Sequence, residues 1–349
     1  MGLFSSGKNI LGIDLGSTSI KLVELKKDGK TSSLVTYGYL EKAAGDITRG
    51  DQDFLQQSTI DSLKKLCQRA GVTTNLAVTA LPNFSVFFSI ITLPAMPDKE
   101  LKEAIIAKAK KIIPLPIEEV ILDWKILEKI KLINDNQDGG KRGENFRILI
   151  NVASKKLVKR YMDVFRGANL QLVSLETESF ALARALVAGD LSTVMIVDFS
   201  AVSTDIIVVE KTIPIFNRSI DVGGVALTRA LAESLHLDFQ KAEQFKRDLG
   251  VVGETEIPSA IRATLQSIVE EIRYSINIFK SQNNKNIEKI ILSGGSAYLN
   301  KISEFFSQEL ATKVIVSNPW KRIAYPADLE PALVEVAPRF SVAIGLALR

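Results

Sequence analysis

The segment Ile10-Leu-Gly-Ile-Asp-Leu-Gly-Ser-Thr-Ser-Ile-Lys21 is the strongest indication of fold in this 349-residue chain. Its apolar first half predicts a short buried strand that ends at Asp14. A tight turn follows, and the last residues predict a second strand that carries Lys21. Such a turn points backbone N–H groups into a concavity that accepts an anion.

The residues of this turn suit a polyphosphate bound together with a metal ion. Gly16 lets the backbone approach a ligand closely, because it has no Cβ. Ser17 and Thr18 add hydroxyl donors, and Lys21 adds a positive charge. Asp14 is placed to hold hydrated Mg²⁺. A glycine-containing turn between two strands is equally typical of an ordinary hairpin, so this segment alone leaves both interpretations open.

A second copy of the pattern favours the nucleotide interpretation. The segment Val194-Met-Ile-Val-Asp-Phe-Ser-Ala-Val-Ser-Thr-Asp-Ile-Ile-Val-Val209 again predicts a strand, an aspartate, a turn of small residues and a strand. Both copies continue into a third strand, after Asp28-Gly29 in the first and after Lys211-Thr212 in the second. The repeat predicts two lobes of one α/β architecture, which would clamp a nucleotide between them.

Composition excludes several other classes of protein. The net charge of +4 is small and dispersed and the aromatic content is 7%, which argues against nucleic-acid binding. The single cysteine, Cys67, cannot form an intrachain disulfide and fits a reducing compartment. The single histidine, His236, has no second histidine with which to form a metal site. No run of 18 apolar residues occurs, so we expect no membrane-spanning helix.

The order of apolar segments and breaks predicts the domain organisation. We expect the chain to return to the first lobe at its end, through a closing helix over Val334 to Leu348 in which Gly345 permits close packing. The expected ranges are 1–83 for the first-lobe core, 84–155 for a small α+β insert and 156–190 for the rest of the first lobe; then 191–224 and 286–330 for the second-lobe core, 225–285 for a helical subdomain within it, and 331–349 for the closing helix.

Five motifs in this order resemble those of the actin-like ATPase superfamily, whose fold is a duplicated, ribonuclease H-like α/β fold with two lobes. Asp14 to Lys21 resembles its first phosphate motif, and Asp198 to Asp205 its second. Ile291-Leu-Ser-Gly-Gly-Ser-Ala297 resembles the adenosine motif. Two helices resemble the connecting helices, namely Glu178-Ser-Phe-Ala-Leu-Ala-Arg184 and Ala343-Ile-Gly-Leu-Ala-Leu348. The insert lies at the position that it has in FtsA.

Within that superfamily the chain resembles the PilM family, cytoplasmic proteins of the type IV pilus inner-membrane platform. The likeness covers nearly the whole length and includes Leu93-Pro-Ala-Met-Pro-Asp-Lys-Glu-Leu101 and Ile113-Pro-Leu-Pro-Ile-Glu-Glu-Val120. It implies a scaffold at the cytoplasmic face of the inner membrane, which reaches the membrane only through a partner. That partner is the N-terminal cytoplasmic tail of PilN, an inner-membrane protein. Other platform proteins and self-association stay open.

The resemblance also implies which residues bind ATP and Mg²⁺. Asp14 and Asp198 would hold the metal through water, and Glu178 would orient the attacking water. The phosphates would lie between Asp14, Gly16, Ser17, Thr18 and Lys21 on one side and Asp198, Ser200 and Thr204 on the other, and the adenosine pocket would be lined by Gly224, Glu243, Lys246, Gly294, Gly295 and Ser296.

One residue departs from the family's pattern. Ser200 stands where the second phosphate motif usually has glycine, and its Cβ can crowd the γ-phosphate. Hydrolysis should therefore be slow at most, whereas binding is affected less because half of the phosphate contacts remain. The spacing of Glu243 and Lys246 also fits a solvated i,i+3 ion pair with no ligand.

Two other functions fit the same fold. An FtsA-like division filament usually carries an amphipathic membrane helix at its C-terminus, and no such helix follows the closing helix before Arg349. A small-molecule kinase of the superfamily would need a polar acceptor pocket, and no substrate-specific motif accompanies the insert. We therefore expect a nucleotide-binding scaffold rather than either alternative.

Overall fold

The computed structural model describes residues 8–29, 31–41, 54–132, 143–251 and 257–349. The chain divides into two compact units. One is Phe84–Asp163, where the sequence predicted an insert over 84–155. The other combines Met1–Asn83 with Val164–Arg349 and contains both predicted lobes.

The described strands and helices alternate in the manner of an α/β protein. The strands are β1 (Asn9–Leu15), β2 (Ser19–Asp28), β3 (Thr31–Glu41), β4 (Leu76–Leu81), β5 (Val86–Pro94), β6 (Val120–Leu132), β7 (Gly143–Ser154), β8 (Gln171–Thr177), β9 (Val194–Phe199), β10 (Thr204–Glu210), β11 (Ile213–Ile220), β12 (Lys289–Ser293) and β13 (Val314–Val316). The helices are α1 (Phe54–Arg69), α2 (Asp98–Ile112), α3 (Lys155–Gly167), α4 (Glu178–Leu186), α5 (Gly224–Leu235), α6 (Phe239–Val251), α7 (Ser259–Asn283), α8 (Ile302–Leu310), α9 (Glu330–Val336) and α10 (Ser341–Ala347).

Two five-stranded sheets have the same topology. The first-lobe sheet has the order β3-β2-β1-β4-β8, and the second-lobe sheet has the order β11-β10-β9-β12-β13. In each, three antiparallel strands that follow one another in the chain are extended by two parallel strands. The matching topologies confirm the duplication that the two strand–aspartate–turn segments predicted.

Helices α4 and α10 pack between the two sheets. One apolar core joins residues of both sheets to these helices, and includes Ile10, Ala181, Ile207 and Leu346. The helix backbones approach so closely that a Cβ on Gly345 would lie 2.0 Å from the carbonyl oxygen of Ala181. The close packing predicted from Gly345 is therefore confirmed.

The closing helix is not continuous, and the prediction of one helix from Val334 to Leu348 was wrong. Helix α9 ends at Val336, a 3₁₀ turn covers Ala337–Phe340, and α10 begins at Ser341. Pro338 lies in the turn and has no N–H to donate to a helix. Its carbonyl instead accepts hydrogen bonds from the Gly294 N–H at 3.1 Å and from the Ser293 hydroxyl at 3.3 Å. The break thus anchors the chain to the end of β12.

The helices α5, α6 and α7 follow β11 within the second lobe. Helix α7 is the longest of the described helices and buries one apolar face against that lobe's core. Its buried residues recur at the spacing of three to four positions that places side chains on one helix face. They include Ile261, Leu265, Ile268, Ile272 and Phe279.

The inserted unit has a core of its own. Its antiparallel sheet has the order β5-β7-β6, and α2 packs on one face. Leu101, Ile105 and Ala109 of α2 are fully buried against Ile148 and Ile150 of β7. Among the described helices, none combines the length and the hydropathy that crossing a bilayer requires.

Candidate functional site

The first phosphate-motif turn joins β1 to β2 at the carboxyl end of β1. Asp14 and Lys21 are cross-strand partners, and Lys21 Nζ lies 2.9 Å from Asp14 Oδ2. A Cβ on Gly16 would lie 3.0 Å from the Ser19 carbonyl oxygen and 3.4 Å from Lys21 Nζ. The charged groups are thus fixed by strand pairing, and the turn above them has no room for a larger residue at position 16.

Ser17 and Thr18 form the rim of this turn. Ser17 is exposed and Thr18 is half-buried. Within the described part of the chain, neither hydroxyl has a hydrogen-bond partner. Both hydroxyls are therefore available to a bound anion, which fits the role that the sequence predicted for them.

The second phosphate-motif turn lies at the equivalent end of β9. Asp198 is buried, and the Ser200 hydroxyl donates to Asp198 Oδ2 at 3.3 Å. Burial raises the pKa of the Asp198 carboxyl, the Ser293 side chain lowers it, and the Asp14 carboxylate raises it further. Asp14 and Asp198 come from different sheets, and the two carboxylates are near enough for the charge of Asp14 to raise the pKa of Asp198.

Thr204 has a different environment from the other predicted phosphate residues. It is fully buried, and its hydroxyl donates to the Val222 carbonyl at 2.7 Å. This bond holds the chain just before Gly223 and Gly224, where α5 begins. The hydroxyl hydrogen of Thr204 is thus engaged in fixing the start of α5.

Glu178 is the first residue of α4 and is partly buried. Burial is the main reason why the pKa of its carboxyl lies well above the usual range. The Asp205, Asp14 and Asp198 carboxylates raise it further, in that order. The backbone N–H of Asn83 donates to Glu178 Oε2 at 3.0 Å and opposes the shift.

The region therefore contains four neighbouring carboxylates, those of Asp14, Glu178, Asp198 and Asp205, and the charges of Asp14, Asp198 and Asp205 raise the pKa of Glu178. Among the described residues, no three His, Cys, Asp or Glu side chains approach closely enough to form a direct metal-ligating group. Lys21 is the cation paired with this cluster. The arrangement suits a hydrated divalent cation, because its charge would offset the excess of carboxylates while water fills the remaining distance.

The predicted adenosine residues form a second group around the start of α5. Lys246 Nζ lies 2.7 Å from Glu243 Oε2, 2.7 Å from Thr228 Oγ1 and 2.9 Å from the Gly224 carbonyl oxygen. Glu243 and Lys246 do form an i,i+3 ion pair, as the interpretation without a ligand expects, but the Lys246 side chain is only 11% exposed. The pair is therefore not a solvated surface contact, and it fixes the N-terminus of α5.

The turn after β12 lies against the same region. Gly294 has a φ of +85°, and a Cβ there would lie 2.4 Å from the Phe199 carbonyl oxygen. A Cβ on Gly224 would lie 2.7 Å from Ser296 Oγ, which shows that the two turns are in contact. A Cβ on Gly295 would meet only Arg339 Nε, at 3.7 Å, so the space in front of Gly295 is free for a ligand.

Arg339 was missed by the sequence analysis. Its guanidinium lies 6.0 Å from the centre of the Tyr298 ring, beside Gly295. Burial lowers the pKa of Lys246, and Arg339 is among the charges that lower it further. Across the described ranges, the Arg339 guanidinium has no hydrogen bond or ion pair. An unpaired, half-buried cation beside the adenosine residues suits an aromatic base or an anion.

A further contact joins the two lobes at the edge of the adenosine region. Arg247 Nη2 lies 3.0 Å from Glu41 Oε1 at the end of β3, and Arg247 Nε lies 3.2 Å from Glu243 Oε1. Arg247 thus connects a predicted nucleotide residue on α6 to the first lobe. The contact between Arg247 and Glu41 could not be identified from the sequence, because these two residues are far apart along the chain.

Comparisons with known proteins identify the family of this chain. Residues 12–349 match the family described as type IV pilus assembly protein PilM. A solved structure described as the PilM-PilN type IV pilus biogenesis complex is 29% identical, with a TM-score of 0.83, covering 97% of this chain and 98% of that chain.

More distant structures share the fold. The ethanolamine utilization protein EutJ from Carboxydothermus hydrogenoformans is 19% identical, with a TM-score of 0.57, over 98% of this chain and 89% of that one. MreB5 of Spiroplasma citri bound to ADP is 14% identical, with a TM-score of 0.52, covering 98% of this chain and 95% of that chain. These likenesses confirm the two-lobed actin-like fold. With a family match over residues 12–349, the chain belongs to the PilM family of type IV pilus assembly proteins.

Proposed function

We propose that this chain is an ATP- and Mg²⁺-binding scaffold of type IV pilus assembly, and that it binds the N-terminal cytoplasmic tail of a PilN-like inner-membrane protein. The observation that carries the nucleotide part is the meeting of Asp14 and Asp198 at equivalent ends of two duplicated sheets. The pilus part is supported by the family and by the similar PilM-PilN complex. The chain would lie at the cytoplasmic face of the inner membrane, recruited by that tail.

The phosphates would occupy the space between the two turns. Backbone N–H groups around Gly16, with the free hydroxyls of Ser17 and Thr18, would bind them from the first lobe. Asp14 and Asp198 would hold Mg²⁺ through water. The metal ion would then neutralise the Asp14 carboxylate. The Lys21 ammonium group, no longer needed for that pairing, could bind the phosphates instead.

The adenosine would lie on the second lobe. Gly294 and Gly295 allow the base and ribose to approach the backbone, and Ser296 and Gly224 form the adjoining wall. Glu243 and Lys246 would face the ribose. To these residues we add Arg339, whose guanidinium can stack on the purine ring because it has no other partner beside its contact with Tyr298 among the described residues.

Hydrolysis should be slow, and Ser200 is one reason. Its hydroxyl donates to Asp198 Oδ2 at 3.3 Å, and its Cβ would crowd the γ-phosphate of an ATP bound between the two turns. We expect Ser200→Gly to raise ATP turnover by about tenfold, roughly the effect of removing 1.4 kcal/mol from a barrier. Phosphate release by the purified variant and wild type, measured side by side at saturating ATP, tests this. Equal turnover in the two proteins would show that Ser200 does not restrain hydrolysis.

A peptide copying the cytoplasmic N-terminus of the organism's PilN protein tests the partner assignment. We expect the folded chain to bind it with a Kd of about 1 μM or tighter, which corresponds to roughly 8 kcal/mol. Isothermal titration calorimetry measures the affinity, and a scrambled peptide of the same composition is the control. Absence of binding to protein that shows a cooperative melting transition would contradict the proposal.

A further inference from the structure

Asn83 is a buried residue that joins two parts of the structure. It ends the first-lobe segment Met1–Asn83, so the inserted unit begins at the next residue. Its backbone N–H donates to Glu178 Oε2 at 3.0 Å. Its side-chain oxygen accepts from the Ser179 N–H at 3.1 Å and from the Ser179 hydroxyl at 2.6 Å. Three hydrogen bonds therefore fix Asn83 to the first turn of α4.

Both hydrogen bonds of the Asn83 side chain are accepted by its oxygen, Oδ1. The carboxamide nitrogen, Nδ2, is buried and has no hydrogen-bond partner among the described residues. Oδ1 of Asp205, on β10 of the second lobe, is buried and unpartnered in the same way. A donor on one lobe and an acceptor on the other are thus both unsatisfied, which is uncommon for buried groups and needs an explanation.

The two groups lie within interaction range of each other. Burial raises the pKa of the Asp205 carboxyl to about 7, and the side chains of Ser219 and Asn83 lower it, with Asp198 acting in the opposite direction. Ser219 lies opposite Asp205 in the β10–β11 pairing, and its hydroxyl is likewise unpartnered within the described ranges. Asp205 therefore has two candidate donors, of which only Asn83 belongs to the first lobe.

We propose that Asn83 is a positioning residue of the nucleotide site: when the lobes close on a nucleotide, its Nδ2 donates a hydrogen bond to Asp205 Oδ1. This inference rests on the proposed ATP binding. The bond ties the second lobe to the residue that holds Glu178 and that leads into the inserted unit. Closure of the cleft is thereby coupled to the position of Glu178 and to the chain that enters β5.

The residue type agrees with this role. An aspartate at position 83 would keep an oxygen for Ser179 but would place a further carboxylate beside Asp205 and Glu178. A leucine of similar size would lose both the acceptor and the donor. Among side chains of this size, asparagine supplies an acceptor for α4 and a donor for β10 at once. A purely structural cap of α4 would need the acceptor alone.

A double-mutant cycle tests the proposed bond. The variants are Asn83→Asp, Asp205→Asn and the two together, which exchanges donor and acceptor. Affinity for ATP–Mg²⁺ is measured by competition with a fluorescent ATP analogue. We expect Asn83→Asp alone to weaken binding by about tenfold, and the double variant to bind at least about fivefold more tightly than independent effects would allow. Effects that multiply to within about twofold would overturn the inference.

Two controls separate this bond from its neighbours. Ser179→Ala removes a partner of the Asn83 oxygen and leaves Nδ2 intact, so it should change ATP affinity less than about twofold. Repeating the cycle in a Ser219→Ala background removes the other candidate donor, and the coupling should persist. Loss of the coupling in that background would assign the Asp205 contact to Ser219 and overturn the proposal.

A second measurement covers the case in which Asn83→Asp does not fold. Amide hydrogen exchange of Val86–Pro94 should slow when ATP–Mg²⁺ is added to the wild type, and should change little in Asp205→Leu, which has a similar size but no hydrogen-bond acceptor. Equal slowing in both would overturn the inference. If the wild type binds no ATP, the proposed function fails as well; if it binds ATP while the cycle is additive, only the role of Asn83 is lost.

Discussion

Replacing Asp14 by alanine is expected to abolish the rise in melting temperature that ATP and Mg²⁺ give the wild-type protein. At a free ATP concentration of 100 times the Kd, binding stabilises the wild type by about 2.7 kcal/mol. For a chain of this size the corresponding rise is roughly 5 °C. Asp14 contacts Lys21 and influences Asp198, so its loss removes a ligand of the hydrated metal and leaves Lys21 unpaired.

The experiment is a thermal melt with and without ATP–Mg²⁺, followed by fluorescence or calorimetry. Asp61→Ala is the matched control, because Asp61 is an exposed carboxylate on α1 whose side chain, among the described residues, accepts a hydrogen bond from Gln57 alone. It should keep the full shift. An unchanged shift in Asp14→Ala would place the nucleotide elsewhere, and no shift in the wild type would remove the nucleotide part of the proposed function.

Replacing Gly345 by alanine is expected to destabilise the fold by about 3 kcal/mol or more, or to prevent folding. The added Cβ would lie 2.0 Å from the carbonyl oxygen of Ala181 and 2.5 Å from its carbonyl carbon. Those atoms are helix backbone, so relief requires α4 and α10 to separate. Separation would in turn open the apolar core that both sheets share with these helices.

Gly295→Ala is the matched control for this prediction. A Cβ at position 295 would meet only Arg339 Nε at 3.7 Å, an ordinary contact, so the free energy of unfolding should change by less than about 1 kcal/mol. The same variant should weaken ATP binding, since the methyl group would fill the space in front of the backbone. Urea unfolding of both variants measures the difference. Equal stability of Gly345→Ala and wild type would contradict the close helix contact.

Much of the fold could be predicted from local patterns. The two strand–aspartate–turn segments repeat within the chain, and the structure confirms that they begin two sheets of one topology. The apolar spacing of α7 predicted its buried face. Both patterns depend on residues close together in the chain, and side-chain periodicity reports directly on such local structure.

The break before α10 could not be predicted in the same way. The residues around Pro338 have helical spacing on both sides, which favoured one helix. Two hydrogen bonds to the carbonyl oxygen of Pro338 stabilise the break. Their donors, Ser293 and Gly294, lie more than forty positions earlier in the chain. Because the helix stops there, Arg339 lies beside Gly295, and residues near Arg339 in the chain do not indicate that position.

The sequence alone was enough to predict the two lobes, the insert, the family and the residue types of both phosphate turns. Short-range periodicity and turn chemistry are encoded by neighbouring residues, so they can be recognised without the tertiary structure. Tertiary structure alone decided that Asp14, Asp198 and Asp205 lie close enough to Glu178 to raise its pKa, that buried Asn83 holds Glu178 and Ser179, and that Arg339 and Arg247 border the adenosine region. The reason is physical: burial, mutual charge effects and unsatisfied hydrogen bonds arise only when distant segments pack together, so no local pattern records them.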